Sequence, residues 1–207
     1  MRQMWTLPDG RQVDLTYFVN WRPWLWAPSV ARAMEFLGDL RGKRLLEVGG
    51  KDARMSSLLA MAGAEVTMLD IRLPACAHEE VAKWNVAGRV RLIETDGGFG
   101  CIAGETFDAV FTKSFLWCLE DLSGMLDQID EHLAAGAKVA FVENYRGGTF
   151  LFWLRHVFVH GGMCPYTEAT FRNIRPEQIR LFHERFADVT VRRSRYFVYE
   201  VFGHKRT

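Results

Sequence analysis

A short stretch near residue 50 constrains the fold more than any other part of the chain. Residues 45–48 read Leu-Leu-Glu-Val, Gly49 and Gly50 follow, and apolar residues return at helical spacing over 55–62. This succession predicts a strand, a tight turn and a helix. Glycine permits positive φ and close approach of a ligand to the backbone, and the first turn of a helix offers free N–H groups. The stretch therefore predicts a site for a nucleoside ligand.

Strands and helices alternate through the middle of the chain. The predicted strands are 43–48, 65–70, 90–94, 107–111 and 138–142, and the predicted helices run from Pro28 to Gly38, over 55–62, from Pro74 to about Trp84, and from Leu122 through Leu133, closed by Gly136. This order implies an α/β fold, with a parallel sheet and helices on both faces.

The last third of the chain departs from this alternation. Residues 147–175 are irregular and rich in aromatic side chains, and a helix is predicted to begin at Pro176. Strands predicted at 189–192 and 196–202 are separated by so few residues that they can pair only in the antiparallel sense.

The first 27 residues are predicted to form an N-terminal arm. A Pro-Asp-Gly turn at 8–10 indicates a small hairpin or extended segment. An aromatic cluster then follows and has two interpretations, packing on the core or a lid over a bound ligand. Its members are Tyr17, Phe18, Trp21, Trp24 and Trp26. The predicted organisation is an arm or lid at 1–27 and a main domain at 28–207, with an insertion at about 147–175 that lines a substrate pocket.

Composition excludes several other classes of protein. A net charge of +1 gives no electrostatic reason to expect a nucleic-acid partner. The four cysteines form no CxxC pair, so a structural zinc site is not expected. We expect reduced thiols in a cytoplasmic protein instead. His156 and His160 lie four residues apart without an evident third ligand, so no metal is predicted. We expect no signal peptide and no membrane span, because the apolar run at 149–154 is far too short.

Three acidic residues follow the first three predicted strands of the sheet. Glu47 ends one strand, Asp70 ends the next, and Asp96 follows the third. Ligands of open α/β sheets bind outside the carboxyl ends of the strands, so these acids are expected at one edge. Asp70 lies 21 residues after Gly49, close to the spacing of about 20 expected for an acid that binds ribose.

A nicotinamide dinucleotide is the first competing ligand, and the sequence disfavours it. A G-x-G-x-x-G motif beginning at Gly49 would need glycine where Lys51 and Arg54 stand. One of these missing glycines would let the backbone approach the pyrophosphate, and Glu47 would be an unfavourable neighbour for that anion.

Four motifs over residues 44–200 resemble those of class I S-adenosylmethionine-dependent methyltransferases. They are Leu45-Leu46-Glu47-Val48-Gly49-Gly50, Val66-Thr67-Met68-Leu69-Asp70, the run from Phe107 to Ser114, and the run from His132 to Val139. The resemblance implies a Rossmann-like seven-stranded sheet, mostly parallel, with the last strand antiparallel. The sequence departs from the family pattern E-x-G-x-G-x-G, because Lys51 and Ala53 replace two of its glycines. The pairs Lys113-Ser114 and Glu143-Asn144 resemble a little-characterised subgroup of the family.

The resemblance also implies how a cofactor, S-adenosylmethionine, would be bound. The glycine turn would face its methionine end, Asp70 its ribose and Asp96 its adenine, while Lys51 could reach its carboxylate. The residues predicted to bind the cofactor are Glu47, Gly49, Gly50, Lys51, Asp70, Ile71, Asp96, Gly97 and Lys113.

Catalytic and substrate-binding residues are expected near the same edge. Methyl transfer needs a base only when the nucleophile is protonated at neutral pH. The predicted catalytic residues are Glu143 and His160, and the predicted substrate-binding residues are Tyr17, Trp21, Trp24, Ser114, Trp117, Asn144, Tyr145 and His156.

These features favour an enzyme that methylates an O or N atom of a small molecule or of a glycan or secondary-metabolite intermediate. The alternative is a non-catalytic protein that binds S-adenosylmethionine or S-adenosylhomocysteine, or a scaffold of the same fold, since Lys51 and Ala53 replace glycines. An RNA or protein methyltransferase is a third possibility that the charge disfavours. Aromatic residues at 17–26 and 150–158 could serve a homodimer interface.

Overall fold

A seven-stranded sheet forms the centre of the protein. The computed structural model describes residues 2–19, 22–144, 176–194 and 198–207. The sheet consists of β3 (Arg44–Val48), β4 (Glu65–Asp70), β5 (Val90–Glu94), β6 (Phe107–Lys113), β7 (Leu133–Asn144), β8 (Phe186–Ser194) and β9 (Val198–Lys205). The strand order is β5-β4-β3-β6-β7-β9-β8. Strands β3 to β7 are parallel, and β9 is antiparallel to both of its neighbours. The predicted Rossmann-like sheet with its last strand antiparallel is confirmed.

Helices cover both faces of this sheet. They are α1 (Leu15–Phe18), α2 (Pro23–Leu37), α3 (Arg54–Met61), α4 (Ala75–Lys83), α5 (Leu122–Glu131) and α6 (Ile179–Arg185). Apolar side chains of α1 to α4 pack in one core, and those of α5 and α6 pack in the other. Successive strand residues alternate between the cores: Leu45 lies in the first and Leu46 in the second. None of the described helices is long and apolar enough to cross a membrane.

The N-terminal residues form the predicted hairpin and then two helices. Strands β1 (Met4–Thr6) and β2 (Gln12–Asp14) pair antiparallel around the Pro-Asp-Gly turn. Helix α2 begins at Pro23, five residues before the predicted start, and Pro28 lies inside it. The prediction placed the wrong proline at the first helical turn. Pro23 occupies that position, where the missing N–H has no intrahelical partner to lose.

The boundary between α5 and β7 also differs from prediction. Helix α5 ends at Glu131, and Leu133 already pairs with Phe107 of β6. The register between these strands then shifts, and pairing continues from Lys138. Gly136, with φ of 72°, lies in this irregular part of β7 and does not close the helix. A glycine in a bulge and a glycine after a helix give the same sequence signal.

The C-terminal strands are longer than predicted. Helix α6 ends at Arg185, and the next residue, Phe186, begins β8. Its ring packs against Phe141 of β7, with ring centroids 5.8 Å apart.

Candidate functional site

The turn between β3 and α3 has the backbone conformation of a glycine-rich turn, although two of its positions carry other residues. Gly49 has φ of 78°, Lys51 of 47° and Ala53 of 57°. All three lie in the left-handed region, which costs about 1–2 kcal/mol for a residue with a side chain. Lys51 and Ala53 therefore keep the backbone path that glycine would adopt more easily. The departure from the family pattern changes side chains and leaves the path of the chain intact.

The two glycines are required by close packing. A Cβ atom on Gly49 would lie 2.4 Å from Cδ2 of Phe115, and one on Gly50 would lie 2.4 Å from Sδ of Met68. Real Cβ atoms do not make contacts this short. Gly49 thus lets the loop after β6 approach the end of β3.

Asp70 joins the end of β4 to the glycine turn. Its Oδ2 accepts a hydrogen bond from the backbone N–H of Lys51 at 2.8 Å, and its Oδ1 accepts one from the N–H of Arg72 at 3.1 Å. Each carboxylate oxygen can accept a second hydrogen bond, so the carboxylate can bind hydroxyl donors of a ligand as well.

An exposed apolar surface separates Asp70 from Asp96. Ile71 is 70% exposed, which is unusual for an isoleucine beside a strand end. Gly97, with φ of 103°, leaves room beside it: a Cβ there would only touch Ile71 at 3.9 Å. Asp96 is exposed, and its Oδ1 accepts a hydrogen bond from the N–H of Gly98 at 3.0 Å. An exposed apolar side chain near two carboxylates suits a nucleoside, whose base is apolar on its face and polar at its edge.

Glu47 is a buried acid behind the glycine turn. Its side chain is 2% exposed and accepts a hydrogen bond from the Ser56 hydroxyl of α3. Burial raises its pKa to about 7, and the Ser56 hydrogen bond and the Lys113 charge only partly offset that effect. Glu47 can therefore be either ionised or protonated near neutral pH.

Lys113 ends β6 on the α2 face of the sheet. Its ammonium lies 5.1 Å from the ring centroid of Trp26, a residue of α2 that is 1% exposed. Among the described residues the ammonium has no hydrogen bond and no ion pair. Burial lowers the pKa of Lys113, although the charges of Asp52, Glu143 and Glu47 oppose this shift.

Glu143 fixes the loop after β6. Its carboxylate is completely buried and accepts hydrogen bonds from the Thr112 hydroxyl at 2.7 Å and from the N–H groups of Phe115 and Leu116 at 2.9 and 3.0 Å. Burial also raises the pKa of Glu143 to about 7. Since both oxygens are engaged by the protein, this geometry favours a positioning role, and the predicted catalytic role remains a prediction.

Ser114 and Trp117 lie in the loop after β6, and Asn144 is the last residue of the neighbouring strand β7. Ser114 has φ of 55°, its hydroxyl accepts a hydrogen bond from Asn144 at 2.7 Å, and Trp117 Nε1 donates to its carbonyl oxygen at 2.6 Å. The structure brings together these three residues predicted to bind substrate. A left-handed serine held by so many contacts is typical of a functional loop.

The remaining residues predicted to bind substrate are divided between the arm and the undescribed segments. Trp24 is 54% exposed on α2, and Tyr17 lies on α1. His160, Trp21, Tyr145 and His156 lie outside the described residues, as does the predicted insertion.

Tyr17 attaches the arm to α3 and α4. Its hydroxyl donates to Glu80 at 2.6 Å and accepts from Lys83 at 2.5 Å. Arg54, the first residue of α3, stacks on its ring at 4.7 Å and donates to its carbonyl oxygen at 2.9 Å. Arg54 also pairs with Asp52 of the glycine turn at 3.3 Å. The contacts of Arg54 and Phe115 were not predicted, because they join segments far apart in the chain.

Residues 46–139 match a family model described as a methyltransferase domain. This segment of the chain is therefore similar to a methyltransferase domain. The matched segment includes the glycine turn, Asp70, Asp96 and Lys113, and it ends before Glu143. No curated protein matches this chain.

Solved methyltransferases share the fold of this domain. N-methyltransferase NodS from Bradyrhizobium japonicum WM9, in complex with S-adenosyl-L-homocysteine, has a TM-score of 0.63 at 15% identity, over 87% of this chain and 86% of that one. Magnesium protoporphyrin IX methyltransferase ChlM from Synechocystis PCC 6803, with bound S-adenosylhomocysteine, has 0.62 at 19% identity over 87% and 81%. A SAM-dependent methyltransferase from Aquifex aeolicus has 0.62 at 14% over 84% and 88%. The predicted fold, that of S-adenosylmethionine-dependent methyltransferases, is confirmed.

Proposed function

We propose that this protein is an S-adenosylmethionine-dependent methyltransferase that acts on an O or N atom of a small molecule or of a glycan or secondary-metabolite intermediate. The observation that carries the proposal is the order of groups along the carboxyl edge of the sheet. From β5 to β6 they are Asp96, Ile71 with Asp70, the glycine turn with Glu47, and Lys113. This order suits a ligand that lies across the strand ends, with its nucleoside over β5 and β4 and its reactive end near β6.

The charges around the glycine turn suit a cationic ligand. Asp52, Asp70 and Glu47 lie in or beside the turn, while Lys51 and Lys113 oppose them at the same edge of the sheet. A sulfonium is a cation, whereas the thioether left after transfer is neutral. The acids therefore favour the reactant over the product.

The residues fit S-adenosylmethionine, and each would contribute a different contact. Asp70 would bind the ribose hydroxyls, Ile71 the face of the adenine, and Asp96 its amino group. Lys51, exposed beside the turn, would reach the carboxylate. When bound, this cofactor supplies an electrophilic methyl group, and the residues accelerate transfer mainly by holding the reacting atoms in line.

Two observations support a small acceptor. The net charge of +1 offers no attraction for a polyanion. The similar structures include an N-methyltransferase and a protoporphyrin methyltransferase, enzymes whose names state an atom or a small molecule. The aromatic residues of the arm would supply apolar walls for such an acceptor.

Isothermal titration with S-adenosylmethionine and S-adenosylhomocysteine tests the proposed cofactor site. We expect binding by the wild type, weaker binding by Asp70→Asn, and unchanged binding by Asp39→Asn, because Asp39 precedes β3 at the opposite edge of the sheet. Absence of binding by the wild type would refute the proposal.

Transfer of labelled methyl into a fraction of extracted small metabolites then tests turnover. Label in that fraction supports the proposed acceptor class. Label in added RNA or protein instead would contradict it, and cofactor binding with no transfer to any fraction would favour the non-catalytic alternative.

A further inference from the structure

Lys113 lies on the far side of the glycine turn from the nucleoside residues. The order of strands places β4 and β5, with Asp70 and Asp96, on one side of β3, and β6, with Lys113, on the other. A ligand whose nucleoside occupies the first side directs its reactive end toward the second. Lys113 is thus on the side where an acceptor would meet the methyl group.

The surroundings of the Lys113 ammonium leave its hydrogen-bonding capacity unused. Along β6, Phe111 packs in the same core as α2, so Lys113, two residues later, points to the same face. There it meets the Trp26 ring, and among the described residues no oxygen accepts a hydrogen bond from it. The charged groups that influence it are Glu47 of β3, Lys51 and Asp52 of the glycine turn, and Glu143 of β7.

The backbone at Lys113 is held rigidly. Asn144 binds the Ser114 hydroxyl, while Glu143 binds Thr112 on one side and the N–H groups of Phe115 and Leu116 on the other. Phe115 in turn packs on Gly49. The Glu143-Asn144 pair therefore fixes Lys113 relative to the glycine turn. A group that must meet a reacting atom needs such support.

We propose that Lys113 Nζ accepts the proton that the acceptor atom loses during methyl transfer. The proposal rests on the proposed function and adds a catalytic residue to it. The acceptor O or N forms a bond to the methyl carbon, the carbon–sulfur bond breaks with its electron pair on sulfur, and the acceptor's proton passes to the lone pair of Nζ. No further reactant is needed.

Burial supports the required neutral amine. Because desolvation disfavours the ammonium, the pKa of Lys113 is lowered, and a larger fraction of Nζ has a free lone pair near neutral pH. No carboxylate lies within ion-pairing distance among the described residues, so none holds the proton on Nζ by direct contact.

The analogue sinefungin tests this role without a known acceptor. It carries a primary amine where the transferred methyl is attached in S-adenosylmethionine, so its amine can donate a hydrogen bond to a neutral Nζ. We expect the wild type to bind sinefungin more tightly than S-adenosylhomocysteine. Lys113→Met should lower this preference by about tenfold, the effect of one hydrogen bond to a charged group. Lys113→Arg should lower it further, since guanidinium stays charged.

Affinity for S-adenosylhomocysteine provides the internal control. Because the preference is a ratio of two affinities, any effect of the Lys113 variants on cofactor binding in general cancels, and their binding of S-adenosylhomocysteine shows that they fold. Lys43→Met, which removes an exposed lysine at the opposite edge of the sheet, should leave both affinities unchanged. An unchanged or increased preference for sinefungin in Lys113→Met overturns the role of Lys113. Failure of the wild type to bind S-adenosylhomocysteine would instead count against the cofactor site itself.

If neither Lys113 variant binds S-adenosylhomocysteine, carbon-13 NMR of wild-type protein labelled at the lysine ε-carbon decides the matter. The Lys113 signal, assigned by its loss in Lys113→Met, should titrate at lower pH than an unperturbed lysine with S-adenosylhomocysteine bound, because burial lowers its pKa. A Lys113 signal that titrates like an unperturbed lysine overturns the proposal.

Discussion

At the scale of single residues, Gly49 is the least replaceable position of the glycine turn. Gly49→Ala should lower the free energy of unfolding by about 2–5 kcal/mol, because a left-handed backbone and a clash with Phe115 act together. Gly42 is a matched control: it has φ of 70° but no atom within 4 Å of an added Cβ. Gly42→Ala should cost only about 1 kcal/mol. Urea denaturation measures both, and equal losses would contradict the role assigned to Phe115.

Lys51 separates the effect of a side chain from that of the backbone. Lys51→Gly should leave stability unchanged or raise it by up to about 1 kcal/mol, since glycine adopts φ of 47° without strain. Cofactor binding should persist in part, because the hydrogen bond from its N–H to Asp70 remains. Lys51→Ala removes the same side chain and keeps the strain. If Lys51→Gly and Lys51→Ala are equally stable, the strain at this position is negligible.

Glu47 makes stability depend on pH. Its pKa is about 7 in the folded protein, whereas an unperturbed glutamate side chain has a pKa of 4.5. Between these values the folded protein keeps a proton that the unfolded chain releases, so the free energy of unfolding should fall as pH rises through this window and level off above it. Glu143 acts in the same direction. Glu47→Gln, whose amide oxygen can still accept from Ser56, should have a shallower slope. Denaturation over this pH range measures it, and an unchanged slope would show that Glu47 does not titrate there.

At the scale of elements, a buried ion pair fastens α2 to the sheet. Arg32 donates to both oxygens of Glu200, which is completely buried on β9, and also to the Ser194 hydroxyl at 3.0 Å. Although burial opposes it, this hydrogen bonding holds the pKa of Glu200 below its usual value. The contact joins residues 168 positions apart. The ion pair therefore holds α2 against the sheet, and with it Trp26, whose ring lies beside Lys113.

Replacing one partner of this ion pair should cost more stability than replacing both. Arg32→Met should lower stability by about 3 kcal/mol, because the buried Glu200 charge loses the cation that compensates it. Arg32→Met combined with Glu200→Met should recover most of that loss. Thermal and urea denaturation of the wild type, the single variant and the double variant measure this. A double variant less stable than Arg32→Met would show that the pair contributes more than charge compensation.

The elements themselves could largely be predicted from sequence. Short continuous apolar runs located the parallel strands, because a strand that is buried on both faces of the sheet needs apolar residues along its whole length. The ends of the elements were harder to predict. Pro23 and Pro28 are both compatible with a helix start, and Gly136 is equally compatible with a helix stop or a bulge. The edge that carries Glu47, Asp70 and Asp96 followed from strand order. The contacts of Lys113 with Trp26 and of Phe115 with Gly49 could not be predicted, because they depend on how distant segments pack.

At the scale of the whole molecule, ligand binding should be visible as stabilisation. S-adenosylhomocysteine at about 100 times its dissociation constant should add about 2.7 kcal/mol and raise Tm by roughly 5–10 °C. Asp70→Asn should reduce this shift at equal ligand concentration, while Asp39→Asn should not. Scanning calorimetry measures the shift, and its absence in the wild type would contradict the proposed site.

The position of β9 determines the order in which one edge of the sheet can assemble. β8 precedes β9 along the chain, but β9 lies between β8 and β7. β8 therefore reaches the sheet only through β9, and the two strands must join β7 together. Until then, the unpaired edge of β7 remains open to strands of other chains. The last ten residues thus protect the folding protein against aggregation, although they contribute none of the groups assigned to the site.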